Sequence, residues 1–191
     1  MKFQQAFFGG DGKLRSGWRF GIFTFFFVIS AVLLSLVGNA VLFALPSPPS
    51  VSVMFIFTSL FGLVPALVIG WLCGKYLESL PFRALGAWFT GGWWQHILAG
   101  LLIGAATLGL AIAIASVFGD LDFSINADAE PSAVRQTLIS SFLVFAVAAA
   151  FEEALFRGYI LQTFARSGLA WLAIVLTSVF FGGVHLGNPN A

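Results

Sequence analysis

The chemistry of this chain is concentrated in Phe151-Glu152-Glu153-Ala154-Leu155-Phe156-Arg157-Gly158. There, two carboxyl groups and a guanidinium close a run that carries no charge after Arg135. Glu153 and Arg157 stand four apart with the acid first, the favourable order for an ion pair on one face of a helix. Adjacent helical residues point about 100° apart, so Glu152 does not share that face. Glu153 is then the neutralised partner and Glu152 the carboxylate left free to act. A carboxylate drawn out of water holds its proton more tightly, which suits a general base working near neutral pH. The second group is His185, in Phe180-Phe181-Gly182-Gly183-Val184-His185. A histidine alone on an apolar face is most often a packed or interfacial residue. It gains interest here because a base that activates water needs an electrophilic partner for the developing oxyanion.

The elements that position these groups must be membrane helices. The chain has 191 residues, 59% of them hydrophobic and 9% charged. An ordinary soluble domain carries about 25% charged residues, so lipid is the solvent for most of this chain. Net charge is +1, which offers no basic field for nucleic acid. No charged residue lies between Arg19 and Lys75, between Arg83 and Asp120, between Arg135 and Glu152, or after Arg166. Each gap must be crossed by helix, because backbone facing lipid has to satisfy its own hydrogen bonds. Leu45-Pro46-Ser47-Pro48-Pro49-Ser50 divides the first gap. The expected fold is all-α, a polytopic transmembrane bundle treated as a single domain over 1–191. Its five spanning helices are expected at roughly 20–44, 51–74, 93–118, 137–165 and 169–185. A polar loop from Gly119 to Gln136 holds Asp120, Asp122, Asp128, Glu130 and Pro131.

Lys2, Lys13, Arg15, Arg19, Lys75, Arg83 and Arg166 fall on one side of this arrangement, and only Arg135 on the other, beside four acids. The positive-inside rule places the N-terminus in the cytoplasm, and Trp18, Trp71, Trp93, Trp94 and Trp171 fall near the same interface. The first apolar stretch begins after Arg19 and is too long for a cleaved signal peptide. Glu152 then lies about 21 Å along its helix, within the hydrocarbon slab. Two carboxyl groups at that depth cost several kcal/mol unless they face protein or water, so they are functional candidates. As a surface pair on a soluble helix, Glu153 and Arg157 would be unremarkable. On the same geometry, His185 and Glu152 differ in depth by about one helical turn. Gly100 and Gly104 form a small-residue pattern suited to helix packing. Asn39 suits an interhelical hydrogen bond, His96 an interfacial position, and Cys73 a buried thiol.

Glu152-Glu153-x-x-x-Arg157 resembles the EExxxR signature of the CPBP family of intramembrane endopeptidases (CAAX protease and bacteriocin-processing, or Abi), and Phe181-x-x-x-His185 resembles its FxxxH signature. The resemblance covers residues from about Leu138 onward, and the earlier helices agree only in general pattern. It implies peptide hydrolysis by an activated water without a covalent intermediate. By the same resemblance, Glu152 is the base, Glu153 and Arg157 the supporting pair, and His185 the group that positions water or stabilises the oxyanion. Phe181 is the aromatic of the second signature. Members are described both as glutamate-dependent and as metal-dependent. The sequence itself requires no cofactor, and Glu152 and His185 are too few ligands for a dedicated zinc site.

The family's further signature, a histidine followed four residues later by asparagine or aspartate, is not found here. His96 is followed by Gly100, and the chain ends at Gly187-Asn188-Pro189-Asn190-Ala191. The expectation is a truncated part of a longer bundle, inactive by itself. The implied partners are membrane lipid and a peptide or prenylated-protein substrate, in the bacterial plasma membrane. Two other functions fit the same scaffold: a non-catalytic interaction, immunity or resistance protein, and a small transporter. A transporter would favour inverted repeats, and none is visible.

Overall fold

The computed structural model describes residues 2–86, 88–119, 121–124 and 128–187. Among them the secondary structure is helical, apart from one antiparallel bridge between Phe8 and Leu14. The order is α1 (Lys2–Phe7), α2 (Ser16–Phe43), α3 (Val51–Glu78), a short 3-10 turn (Phe82–Leu85), α4 (Trp93–Phe118), α5 (Pro131–Glu152), a π-helical segment (Glu153–Ile160), α6 (Leu161–Arg166) and α7 (Ala170–His185). Helices α2, α3, α4 and the continuous stretch Pro131–Arg166 are long and apolar enough to cross a bilayer; α7, with 16 residues, is apolar but shorter. The protein is a helical membrane bundle.

Three boundaries differ from those expected from charge placement. Helix α2 begins at Ser16 and encloses Arg19, and α3 continues to Glu78 and encloses Lys75. Both cations are accommodated inside helices because each finds a partner. Arg19 pairs with Glu78, and the Lys75 ammonium lies 5.4 Å from the ring centroids of both Trp71 and Tyr76. Helix α5 begins at Pro131, well before residue 137. Proline at a first helical position gives up only an N–H that would have had no intrahelical partner. The segment expected as a single helix over 137–165 changes character at Glu153 and departs from helical backbone at Gly158. Asp120 of the polar loop and Asn188-Pro189-Asn190-Ala191 lie outside the described residues.

The contacts divide the chain into two compact units, Met1–Ala87 with Thr137–Ala191, and Trp88–Gln136. In the first, α2, α3, the π segment, α6 and α7 surround a core of Phe23, Cys73, Leu85, Tyr159, Ile160, Phe164 and Ala173. Two glycines of α3 let the motif helix approach. A Cβ on Gly62 would lie 2.5 Å from the Phe151 ring, and one on Gly70 would lie 3.3 Å from both Leu85 and the Tyr159 Cβ. At its far end the motif helix turns into α7 through Ser167, Gly168 and Leu169. Gly168 adopts φ 75°, and the Gly168 and Leu169 N–H groups donate to the Ala165 and Phe164 carbonyls. The second unit contains α4, which has no buried residue. Within that unit nothing packs on Gly100 or Gly104.

Candidate active site

Burial changes abruptly along the motif helix. Helix α5 has no buried residue, whereas Gly158, Tyr159 and Ile160 are buried, as are Thr163 and Phe164 one turn on. The acidic motif therefore stands where an anchored segment meets a free one. The anchor has an aromatic component, since Tyr159 packs on Phe23 with ring centroids 5.2 Å apart. Phe151, one residue before Glu152, lies against Phe27 at 6.5 Å and over Gly62. The helix widens into π turns at Glu153, a rare local form that recurs at functional sites. The Arg157 carbonyl, next to the break at Gly158, accepts from Gln162 Nε2 at 3.5 Å.

The structure places the motif side chains as follows. Arg157 donates to Glu153 Oε1, so the four-residue spacing does produce an ion pair. Glu152 is half-buried and, among the described residues, makes no side-chain hydrogen bond or ion pair. Both acids, Phe156 and Arg157 line a cavity of about 370 Å3, closed on the α7 side by Ile174, Thr177, Ser178, Phe181 and Gly182. Glu153 and Arg157 also line a second cavity, of about 600 Å3, on the α3 side. The ion pair is thus a partition between two spaces, and Glu152 belongs to the α7 side alone.

His185 is not on the wall of the smaller cavity. It lies one helical turn past Phe181, stacks on that ring at 4.4 Å, and is exposed. Phe181 in turn meets Phe156 edge-on at 5.6 Å. The imidazole is therefore joined to the acidic motif through two aromatic rings. Its Nδ1 lies 2.8 Å from the Phe181 carbonyl oxygen. A carbonyl can only accept, so this bond puts the proton on Nδ1 and, in the neutral ring, leaves Nε2 as an acceptor. Among the described residues, no cluster of three or more His, Cys, Asp or Glu side chains is placed to hold a metal ion.

The strongest polar cluster lies elsewhere and was not singled out from the sequence. Glu78, 3% exposed at the end of α3, accepts from Arg19 Nη1 at 2.9 Å, from Arg166 Nε and Nη2 at 3.0 and 2.9 Å, and from Thr163 Oγ1 at 3.1 Å. Its backbone carbonyl accepts from Lys13 Nζ at 2.9 Å, and Arg166 Nη1 donates to the Ala84 carbonyl at 3.0 Å. One carboxylate thus ties the start of α2 and the end of α3 to Thr163 and Arg166 of α6. The sequence held a signal for it: an acid at a helix end surrounded by the cations of the basic side of the chain.

Residues 134–191 match the Rce1-like family of type II CAAX prenyl endopeptidases. This agrees with the CPBP resemblance carried by the two motifs. The Rce1-like segment contains Glu152, Glu153, Arg157, Phe181 and His185, and it includes Thr163 and Arg166 of the Glu78 cluster. Neither a curated protein nor a solved structure matches the chain. The Rce1-like segment begins within α5 and takes in the π segment, α6 and α7, so its helical hairpin is the unit that bears the candidate chemistry.

Proposed function

We propose that this protein is an intramembrane endopeptidase in which Glu152 activates water to hydrolyse a peptide bond. The supporting observation is that Glu152 lines an interhelical cavity without a partner, while its neighbour Glu153 is held by Arg157. The unpaired carboxylate accepts a proton from water as that water adds to the scissile carbonyl, then returns it to the leaving amine. The Glu153–Arg157 pair holds the cavity wall and keeps a positive group beside the developing oxyanion. His185, joined to the wall through Phe181, orients water or a substrate carbonyl from the α7 side. The substrate class implied by the Rce1-like match is a peptide or prenylated protein presented in the membrane. The N-terminus faces the cytoplasm on this reading, as the distribution of cations indicates.

The test is made on the gene product in the membranes of its own cell. Glu152→Gln keeps the shape and removes the base, and should lower cleavage of an added prenylated CAAX peptide by about 10²–10⁴-fold. Unchanged cleavage in that variant would refute the assignment, and a function that survives it unchanged would mark a binding role.

A further inference from the structure

The cavity that holds Glu152 has a second wall, formed by α7, and two hydroxyls stand on it, those of Thr177 and Ser178. They are in different states. Thr177 Oγ1 donates back along its own helix, toward the Ala173 carbonyl at 2.8 Å and the Ile174 carbonyl at 3.3 Å. That is how a hydroxyl in an apolar surrounding keeps its hydrogen occupied, and Thr107, Ser140 and Ser167 do the same. Ser178 does not. Among the described residues its hydroxyl makes no hydrogen bond, so its donor is available to whatever enters the cavity.

Its surroundings leave room for such a guest. Ser178, Gly182 and His185 stand at i, i+4 and i+7 of α7, on one face of the helix. A Cβ at Gly182 would meet nothing within 4 Å, so no side chain closes the space one turn beyond Ser178. His185 lies two turns beyond Ser178 and off the cavity wall. On the opposite wall stand Glu152, without a partner among the described residues, and Arg157, whose Nη1 is committed to Glu153. The cavity thus sets an uncommitted carboxylate on one wall against an uncommitted neutral donor on the other. Hydrolysis of a peptide bond asks for this pairing: an acceptor for the proton of water and a donor for the carbonyl oxygen.

We propose that Ser178 is a catalytic residue of this site, donating its hydroxyl hydrogen to the carbonyl oxygen of the scissile peptide bond. The assignment rests on Glu152 as the base. As water adds to the carbonyl carbon, its proton passes to Glu152 and the C=O π electrons move onto oxygen, where the Ser178 hydroxyl meets them. Ser178 keeps its own proton throughout. When the tetrahedral intermediate collapses, the carbonyl re-forms, the C–N bond breaks and Glu152 returns its proton to the leaving amine. The oxygen is more negative in the intermediate than in the substrate. The bond from Ser178 therefore strengthens on the way to the transition state, and its loss falls on kcat.

The experiment compares the full gene product in nanodiscs as wild type, Ser178→Ala, Ser140→Ala and Glu152→Gln, acting on a prenylated CAAX peptide. Ser178→Ala should lower kcat about 10²-fold with KM unchanged, the low end of the loss for a single oxyanion donor. Ser140→Ala removes a hydroxyl that bonds within its own helix, about three turns before Glu152, and should change nothing. A second readout is independent of turnover. The Glu152→Gln protein should hold the peptide intact, and an isotopic label at the scissile carbonyl isolates its infrared band. That band should lie at lower frequency in Glu152→Gln than in the double variant with Ser178→Ala, which has lost the hydrogen bond. If Glu152→Gln abolishes cleavage while Ser178→Ala retains the wild-type kcat, or if the two band positions coincide, the role of Ser178 is overturned and Glu152 stands. A change confined to KM would overturn it as well. Unchanged cleavage in Glu152→Gln would remove the base, and both assignments with it.

Discussion

Glu78→Gln is the perturbation for which the structure gives the clearest magnitude. The substitution keeps the side-chain volume but removes the charge that holds two guanidinium groups. The Glu78 and Arg19 side chains are 3% and 8% exposed, and Arg166 is 28% exposed. Arg166 can turn toward water when released; Arg19 cannot, and its Nε is already without an acceptor. Removing one partner of a buried ion pair costs about 3–5 kcal/mol, because the other charge stays buried and unpaired. Against a total stability of about 5–15 kcal/mol, that is a large fraction. The assay is reversible unfolding in mixed micelles with rising SDS, followed by tryptophan fluorescence. Glu78→Gln should shift the unfolding free energy by about 3–5 kcal/mol. Replacing both Glu78 and Arg19 by leucine should restore more than half of that loss, since a matched apolar pair is tolerated where a lone charge is not. A loss below about 1 kcal/mol, or a double variant whose cost is the sum of the single ones, would show that the cluster is not a coupled buried unit.

Three other outcomes follow from the same geometry. Gly62→Ala places a Cβ 2.5 Å from the Phe151 ring, so it should destabilise by about 1–3 kcal/mol and lower cleavage, whereas Gly74→Ala, with nothing within 4 Å, should be neutral or stabilising in the same unfolding assay. Cys73 is 6% exposed in the core, so maleimide labelling should wait for unfolding and its rate should track the unfolded fraction across the SDS titration. Arg157→Gln should lower cleavage about ten-fold or more by freeing Glu153 at the cavity wall, and exchanging the two residues should recover part of it in the peptide assay.

What the sequence alone determined is what a bilayer imposes locally. Uncharged stretches had to become helices, because backbone in lipid can bond only to itself, and α2, α3, α4 and the motif helix lie where the charges leave room. The Glu153–Arg157 pair was equally legible, since partners four apart meet on any helix. The tertiary structure decided the rest. Glu78 meets Arg19 and Arg166 across 59 and 88 residues, and that pairing is what lets α2 begin before Arg19 and α3 run past Lys75. Gly62 admits Phe151 only because two separate helices cross there. His185 lies one turn beyond the cavity that holds Glu152, a placement set by how α7 packs rather than by its register. The physical reason is shared. In a membrane helix the side that packs and the side that meets lipid are both apolar, so periodicity does not mark which residues face one another.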